Sequence, residues 1–252
     1  MTNEDEERTI GESTSPNDAF YSERDLPSPE REWRPENLEQ MRDIVVGAAE
    51  QANPLVPLGG GEHPRQGAIG ERTFDVLRTD GCDRIRAVDR DSYTVRVEAG
   101  VTWGQLREEL QEQRLSVQRY GLQASGATVG GLLARWQPLE TRFHGGDLRE
   151  GCIGLRAVTP ADDGYGYLPA PRKATGPDHR YLYIGGEGAL GVILEATLVV
   201  ARRLPGMLLE WPAETVADAV EAYRQLRHHD LDPSWVRWSN DRQVLEAALH
   251  AP

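Results

Sequence analysis

The stretch Leu55-Val56-Pro57-Leu58-Gly59-Gly60-Gly61 places a short apolar run directly before three consecutive glycines. The apolar run predicts a buried strand from Leu55 to Leu58. Glycine adopts positive φ freely, so glycines after a strand let backbone N–H groups point into one concavity. Such concavities bind anions, and phosphate groups are their commonest ligands. Taken alone, the stretch predicts either a phosphate-binding loop or a plain tight turn.

Two further glycine clusters follow in the chain. The segment Thr128-Val129-Gly130-Gly131 comes after a polar loop, and the glycine-rich residues 185–191 come directly before the β-branched run 192–200. Three clusters, each beside a predicted strand, are harder to explain as turns than one cluster is. We therefore expect main-chain amides from three separated loops to converge around one phosphate-containing molecule.

The third cluster contains the pattern G-x-G-x-x-G at Gly186, Gly188 and Gly191, which is also the pattern of nicotinamide-binding Rossmann folds. That fold requires a helix directly after the glycines and an acidic residue roughly 20 positions later. Glu210 lies at about that distance. Residues 192–200, however, are rich in β-branched side chains and predict a strand. The phosphate would meet no helix N-terminus, so a Rossmann site is set aside.

The rest of the chain predicts alternating helices and strands. Apolar residues spaced three and four apart predict a helix that starts near Pro35, with Pro35 in its first turn, and ends before Asn53. Thr102 and Gln105 form a capping box that begins a helix over residues 103–114. Strands are expected at 94–98 and 153–159, and a loop at 164–177. Beyond Pro205 the pattern predicts a strand at 208–212, a helix at 214–229, a strand at 235–238 and a last short helix.

Charge and composition set the first domain boundary. Residues 1–32 hold ten acidic residues against three arginines and contain almost no apolar run. Such a segment cannot bury enough apolar surface to offset its ordering entropy, so residues 1–32 are expected to form a disordered acidic tail. Basic residues do not cluster, so no nucleic-acid partner is expected.

Compartment and metal content are predicted from what the sequence lacks. No stretch approaches the roughly 20 apolar residues that a membrane span requires, and the N-terminus lacks the pattern of a secretory signal. Cys82 and Cys152 lie far apart with no metal-ligand spacing. We expect two reduced thiols, no metal site, no membrane span and a cytoplasmic location.

Four groups of residues occur in a specific order along the chain. They are Pro57 to Gly61 with Gly67 six residues later, residues 95–100 with Leu106 and Leu110, residues 128–131, and residues 178–193. In this order they resemble the FAD-binding domain of the vanillyl-alcohol oxidase / p-cresol methylhydroxylase (PCMH-type) family, and within it the FAD-binding subunit of glycolate oxidase. The resemblance implies an α+β fold with a PCMH-type FAD-binding domain of two α/β subdomains over residues 33–205. A truncated α/β cap, or substrate, domain would follow over residues 206–252.

The resemblance also implies FAD as the cofactor. The first glycine cluster would hold the FAD diphosphate through backbone N–H groups, and the other two loops would line the rest of the cofactor. The full set of cofactor-binding residues implied in this way is Pro57, Gly59, Gly60, Gly61, Glu62, His63, Gly67, Thr128, Val129, Gly130, Gly131, Gly188, Gly191, Val192 and Ile193. Glu62 departs from the family, which usually has Ser or Thr there, and it separates the glycines from His63. A covalent link between His63 and FAD is therefore not expected.

An FAD-dependent oxidoreductase is the activity that the resemblance implies. A small organic donor, by default a 2-hydroxy acid, would pass a hydride to the flavin. In the family a second domain covers the flavin and supplies the catalytic base, and residues 206–252 correspond only to its first part. No catalytic residue is therefore named, and a partner subunit covering the flavin face is expected. The alternative is a non-catalytic FAD-holding or scaffolding subunit of a multi-subunit flavoenzyme.

Overall fold

The structure is a computed structural model that describes residues 29–61, 73–117, 125–136, 147–167, 169–170, 176–203, 206–231, 233–239 and 243–250. Glu62, His63, Gly67 and most of the predicted acidic tail lie outside these residues. The elements in chain order are β1 (Arg31–Trp33), α1 (Leu38–Glu50), β2 (Leu55–Leu58), β3 (Asp75–Arg78), β4 (Ile85–Asp89), β5 (Thr94–Glu98), α2 (Trp103–Glu112), β6 (Leu115–Ser116), α3 (Val129–Arg135), α4 (Leu148–Gly151), β7 (Cys152–Thr159), β8 (Asp162–Tyr167), α5 (Arg180–Tyr183), β9 (Val192–Val199), β10 (Ala201–Arg202), β11 (Gly206–Pro212), α6 (Val216–His228), β12 (Pro233–Ser239) and β13 (Val244–His250).

A small parallel sheet of order β1-β3-β2 forms the first layer. Met41 and Val45 of α1 pack with the buried Leu77 of β3 on one side of this sheet. The Asn37 side chain accepts a 2.9 Å hydrogen bond from the Gln40 N–H and so begins α1 at Leu38. The prediction that Pro35 lies in the first helical turn is therefore wrong, because Pro35 precedes the cap. Regular structure starts with β1, two residues before the predicted boundary at residue 33.

A five-stranded antiparallel sheet of order β4-β5-β9-β7-β8 forms the main layer. Its predicted strands β5, β7 and β9 are confirmed, and β9 is the strand expected after the third glycine cluster. The expected loop at 164–177 is wrong for its first residues, because β8 continues to Tyr167 and pairs with β7 as a hairpin. Helices α2 and α3 cover one face of this sheet, and their contacts form the largest core cluster. The predicted capping box of Thr102 and Gln105 begins α2.

A row of charged side chains crosses the main sheet. Glu98 of β5 and Glu195 of β9 are register partners, and both carboxylates are buried. Arg86 forms an ion pair with Glu98, and Arg156 forms one with Glu195. The Arg84 N–H also donates to Glu98 over 2.9 Å. Two adjacent buried carboxylates are tolerated here because each has its own arginine.

The C-terminal residues form a separate layer. Strands β11, β13 and β12 make an antiparallel sheet in that order, and Ala219 and Ala222 of α6 pack with Leu245 of β13. The predicted strand, helix and strand are confirmed, but the predicted last short helix is wrong, because those residues form the central strand β13. The run VLEAALH lacks a strict alternation and contains strong helix formers, so pairing with two neighbouring strands overrides its local preference.

Candidate functional site

A pocket of about 320 Å³ lies where the three glycine clusters meet. This volume falls within the range of small-molecule sites. The predicted cofactor-binding residues that line it are Pro57, Gly59, Gly60, Gly61, Thr128, Gly130, Gly131, Gly188, Gly191, Val192 and Ile193. Val129, between Thr128 and Gly130, does not line the pocket, because its side chain is fully buried in the core. The structure thus brings the three loops together.

The first and second loops touch each other through glycine. A Cβ on Gly59 would lie 2.1 Å from Thr128 Oγ1, and a Cβ on Gly60 would lie 2.0 Å from the backbone oxygen of Gly126. Real side chains do not approach so closely, so only glycine permits this contact. The two loops can therefore pack this closely only because Gly59 and Gly60 have no side chains.

The third loop packs against Pro57 of β2 and Val158 of β7. A Cβ on Gly188 would lie 2.5 Å from Cγ of Pro57, and one on Gly191 would lie 2.4 Å from the backbone oxygen of Val158. Gly188 also has φ near +80°, which favours glycine. The loop before β9 is therefore held against both the small sheet and the main sheet.

The amides of the second loop are used inside the protein. The Gly130 N–H donates to the Ala99 oxygen over 2.8 Å, and the Gly131 N–H donates to Thr128 Oγ1 over 3.2 Å. Thr128 is the N-cap of α3. The expectation that all three loops offer free amides to one ligand is therefore wrong for the second loop, and in the third loop the N–H groups of residues 186, 187, 189 and 191 also donate within the protein. The second loop supplies a wall without side chains, and its N–H groups are already satisfied.

The first loop has the free donors. Within the described residues, the backbone N–H groups of Gly59, Gly60 and Gly61 donate to no acceptor. Gly61 has φ near +76°, and no described atom lies within 4 Å of where its Cβ would stand. Three successive amides that have no acceptor among the described residues and that belong to the pocket lining match what a phosphate oxygen requires. This is the part of the site that fits an anion.

One face of the small parallel sheet forms the pocket's apolar wall. Residues on alternate positions of a strand point to the same face, and here that face carries Phe74, Val76, Val56 and Leu58. Sequence reasoning missed this wall. The period-two pattern of β3 was a usable signal, but only the parallel pairing of β1, β2 and β3 shows that the face borders the glycine loops.

The described lining also contains four charged residues: Glu32, Arg78, Arg135 and Glu187. Arg78 donates to Asp80, with 2.7 Å between Nη2 and Oδ2. This hydrogen bond raises the pKa of the Arg78 guanidinium above its ordinary value and lowers the pKa of the Asp80 carboxyl. The described lining contains no histidine, cysteine or tyrosine.

The two thiols take no part in the site. Cys82 and Cys152 are both free and buried. Burial raises the pKa of Cys82 to about 11 and that of Cys152 to about 12, so neither is a thiolate near neutral pH. In the described ranges no cluster of His, Cys, Asp and Glu has the arrangement of a metal site, and no helix is long and apolar enough to cross a membrane.

Known proteins resemble this chain over most of its described residues. The family model described as "FAD binding domain" matches residues 29–164, more than half of the chain. The mitochondrial D-lactate dehydrogenase (cytochrome) of Arabidopsis thaliana is 31% identical over 170 residues, which cover 65% of this chain and 29% of that protein. The D-2-hydroxyglutarate dehydrogenase of Xanthomonas citri pv. viticola is 31% identical over 217 residues, which cover 82% of this chain and 45% of that protein.

A solved structure shows the same fold. The structure of an alkyldihydroxyacetonephosphate synthase superposes with a TM-score of 0.70 at 21% identity, covering 86% of this chain and 46% of that one. The alkyldihydroxyacetonephosphate synthase of Dictyostelium discoideum is 27% identical over 215 residues, or 81% of this chain and 34% of that protein. The chain therefore spans less than half the length of each of these relatives.

Proposed function

This chain belongs to the family of FAD-binding domains of the p-cresol methylhydroxylase type, and from that premise we propose that it is the FAD-binding domain of a flavin oxidoreductase in which a small organic donor passes a hydride to FAD. FAD is the cofactor that this family binds. The observation that supports the proposal is the meeting of three glycine loops at one pocket. When bound, FAD accepts the hydride and supplies the redox chemistry. A particular likeness to the FAD-binding subunit of glycolate oxidase stays a prediction.

The first glycine loop fits the diphosphate of FAD. Gly59, Gly60 and Gly61 have backbone N–H groups without acceptors in the described chain, and a phosphate oxygen accepts such hydrogen bonds strongly because it is charged. A Cβ on Gly61 would stand in the open space that a phosphate would occupy. In this assignment the chain binds the diphosphate with the main-chain atoms of these three glycines.

The rest of the pocket fits the uncharged parts of FAD. Phe74 and Val76 are buried, and with Val56 and Leu58 they make an apolar surface opposite the glycine loops. An apolar wall excludes water, and lower local polarity strengthens the hydrogen bonds that the loop amides make. Gly130, Gly188 and Gly191 let the backbone of the other two loops approach the cofactor closely, because no side chain intervenes.

The proposed donor is a 2-hydroxy acid. Two relatives carry the names of dehydrogenases for D-lactate and for D-2-hydroxyglutarate, and both of these compounds are 2-hydroxy acids. In the proposed reaction the C–H bond at carbon 2 breaks as a hydride leaves, the hydroxyl loses a proton, and a 2-oxo acid forms. The reducing equivalents would then pass to a partner subunit or a quinone. A partner covering the flavin face belongs to the same proposal.

The cofactor is tested with the purified protein. We expect a yellow protein with absorption bands near about 370 and 450 nm, which are general for protein-bound flavin. We also expect the cofactor released by heat or acid to be FAD by chromatography, since His63 is not predicted to hold it covalently. A chain that stays colourless after FAD is added would contradict the cofactor assignment.

The donor is tested with the FAD-loaded protein without oxygen. D-lactate and D-2-hydroxyglutarate are expected to bleach the 450 nm band, while propionate and glutarate, which lack the 2-hydroxyl, are expected to leave it unchanged. Bleaching by dithionite serves as the positive control. If FAD is bound and dithionite bleaches it but no hydroxy acid does, the result favours the alternative of a non-catalytic FAD-holding subunit.

A further inference from the structure

Arg78 lies directly beside the first glycine loop. It is the register partner of Leu58, the residue before Gly59, and the Thr79 N–H donates to the Leu58 oxygen over 2.9 Å. Arg78 also lines the pocket on the same sheet face as Val76. A cationic side chain therefore borders the pocket at the strand ends from which the free amides emerge.

The Arg78 guanidinium is held in place with donors to spare. Nη2 donates to Asp80 Oδ2 over 2.7 Å, Nε lies 3.4 Å from Asp80 Oδ1, and Nε lies 4.0 Å from Glu32 Oε1. Nη1 has no acceptor within the described residues. An arginine has five N–H donors, so the two carboxylates orient the group without using all of them. About a fifth of the side chain is exposed, at 22%.

The charges around the pocket give a physical reason for a cation at position 78. Two carboxylates, Glu32 and Glu187, belong to the described lining, together with Arg78 and one further arginine, Arg135. A diphosphate brings further negative charge to this place. Amide donors alone do not neutralise it, and carboxylates nearby disfavour it. A fixed guanidinium next to the loop amides offsets that repulsion and matches phosphate geometry.

We propose that Arg78, oriented by Asp80 and Glu32, binds the diphosphate of FAD through its free guanidinium N–H groups. This inference rests on the proposed function, because it assumes FAD in the pocket. It adds a side-chain cation to the backbone amides of the first glycine loop. The competing explanation is that Arg78 only joins β3 to β1 and to Asp80 as a structural ion pair.

The test compares two variants that each remove one positive charge. R78M changes the pocket, and R96M changes an exposed arginine on β5 that does not line it. Titration of the apoproteins, followed by flavin fluorescence, gives the Kd for FAD and for riboflavin, which has no phosphate. We expect R78M to bind FAD about tenfold to a hundredfold more weakly than R96M does, as for a lost charged hydrogen bond. We expect the two variants to bind riboflavin equally.

The outcomes separate this inference from the proposed function. A less than fivefold difference in FAD affinity between R78M and R96M overturns the role of Arg78, and so does an equal loss of FAD and riboflavin binding. If wild-type protein binds no FAD, the proposed function fails as well. Circular dichroism and thermal melting confirm that the variants fold. Should R78M not fold, R78Q carries the same comparison, because its amide can still pair with Asp80.

Discussion

The glycines of the pocket are required for different physical reasons. Gly59 and Gly60 are required because the second loop lies where a Cβ would be, and Gly130 because Ala99 does. A Cβ on Gly61 would meet no described atom, and the positive φ of Gly61 is the reason for glycine there. The sequence shows only that glycine recurs. The structure shows which of these glycines are required by close packing and which by a positive φ.

Replacing Gly60 with alanine tests the close packing. In G60A the new Cβ would meet the backbone oxygen of Gly126, which cannot rotate away as a side-chain end could. We expect the free energy of unfolding to fall by about 1–3 kcal/mol, as for overpacked sites, and the Kd for FAD to rise at least about tenfold. Urea denaturation and flavin fluorescence measure the two effects.

The matched control is a glycine with space around it. A Cβ on Gly47 of α1 would meet no atom within 4 Å, and alanine is the better helix former. G47A is therefore expected to keep wild-type FAD affinity and to gain slightly in stability. If G60A behaves like G47A, the first and second loops do not touch as described.

The burial of the two thiols predicts their reactivity. A thiol reacts as its thiolate, and the raised pKa of Cys82 and Cys152 keeps both protonated until the pH approaches about 11. We expect neither to react with a disulfide reagent in the native protein between pH 7 and 9, and both to react at once in urea. Fast labelling of native protein at pH 8 would show that one thiol is accessible.

Thr128 and Thr215 each cap the N-terminus of a helix, in different parts of the fold. Thr128 caps α3 through its bond with the Gly131 N–H and also touches Gly59, whereas Thr215 caps α6 in the C-terminal layer. Loss of either cap costs about 1 kcal/mol. We expect T128A and T215A to lower the free energy of unfolding by similar amounts, but only T128A to weaken FAD binding.

Urea denaturation and FAD titration of the two cap variants give this comparison directly. T128S keeps the hydroxyl and is expected to restore both stability and affinity. Equal FAD affinity in T128A and wild type would mean that the contact between Thr128 and Gly59 does not shape the pocket.

Elements with strong local signals were predicted correctly. The capping box of α2, the alternation of β5 and the β-branched run of β9 each depend on neighbouring residues in the sequence. Two of the failures were β8, a glycine-containing strand that pairs with the neighbouring β7 as a hairpin, and β13, which pairs with β11 and β12. For β13, pairing with β11, which lies well before it in the chain, contributes a free energy that no short window of the sequence contains.

The whole molecule carries a formal net charge of −13. Like charges repel within a compact chain, and salt shortens the range of that repulsion from about 10 Å at 0.1 M to about 3 Å at 1 M. We expect 1 M NaCl to raise the Tm of the apoprotein, by about 2–4 °C for each kcal/mol of relieved repulsion. Scanning calorimetry in 0.05 M and 1 M NaCl measures the shift.

A charge variant sharpens the salt prediction. R96E adds negative charge at an exposed position outside the pocket and is expected to show a larger gain in Tm with salt than wild type. An unchanged or lower Tm in 1 M NaCl would mean that specific ion pairs, such as those of Glu98 and Glu195, outweigh the general repulsion.

The sequence by itself determined the local features: the glycine clusters, the strand after the third cluster, the caps and most of the element types. These depend on φ preferences and on short-range periodicity. The tertiary structure decided which glycine amides remain free, which sheet face lines the pocket, and that Glu32 and Arg78 border it. Hydrogen bonds such as that between Gly130 and Ala99, and the parallel pairing of β1, β2 and β3, join residues that are far apart in the sequence. Those long-range contacts exist only once the chain has folded.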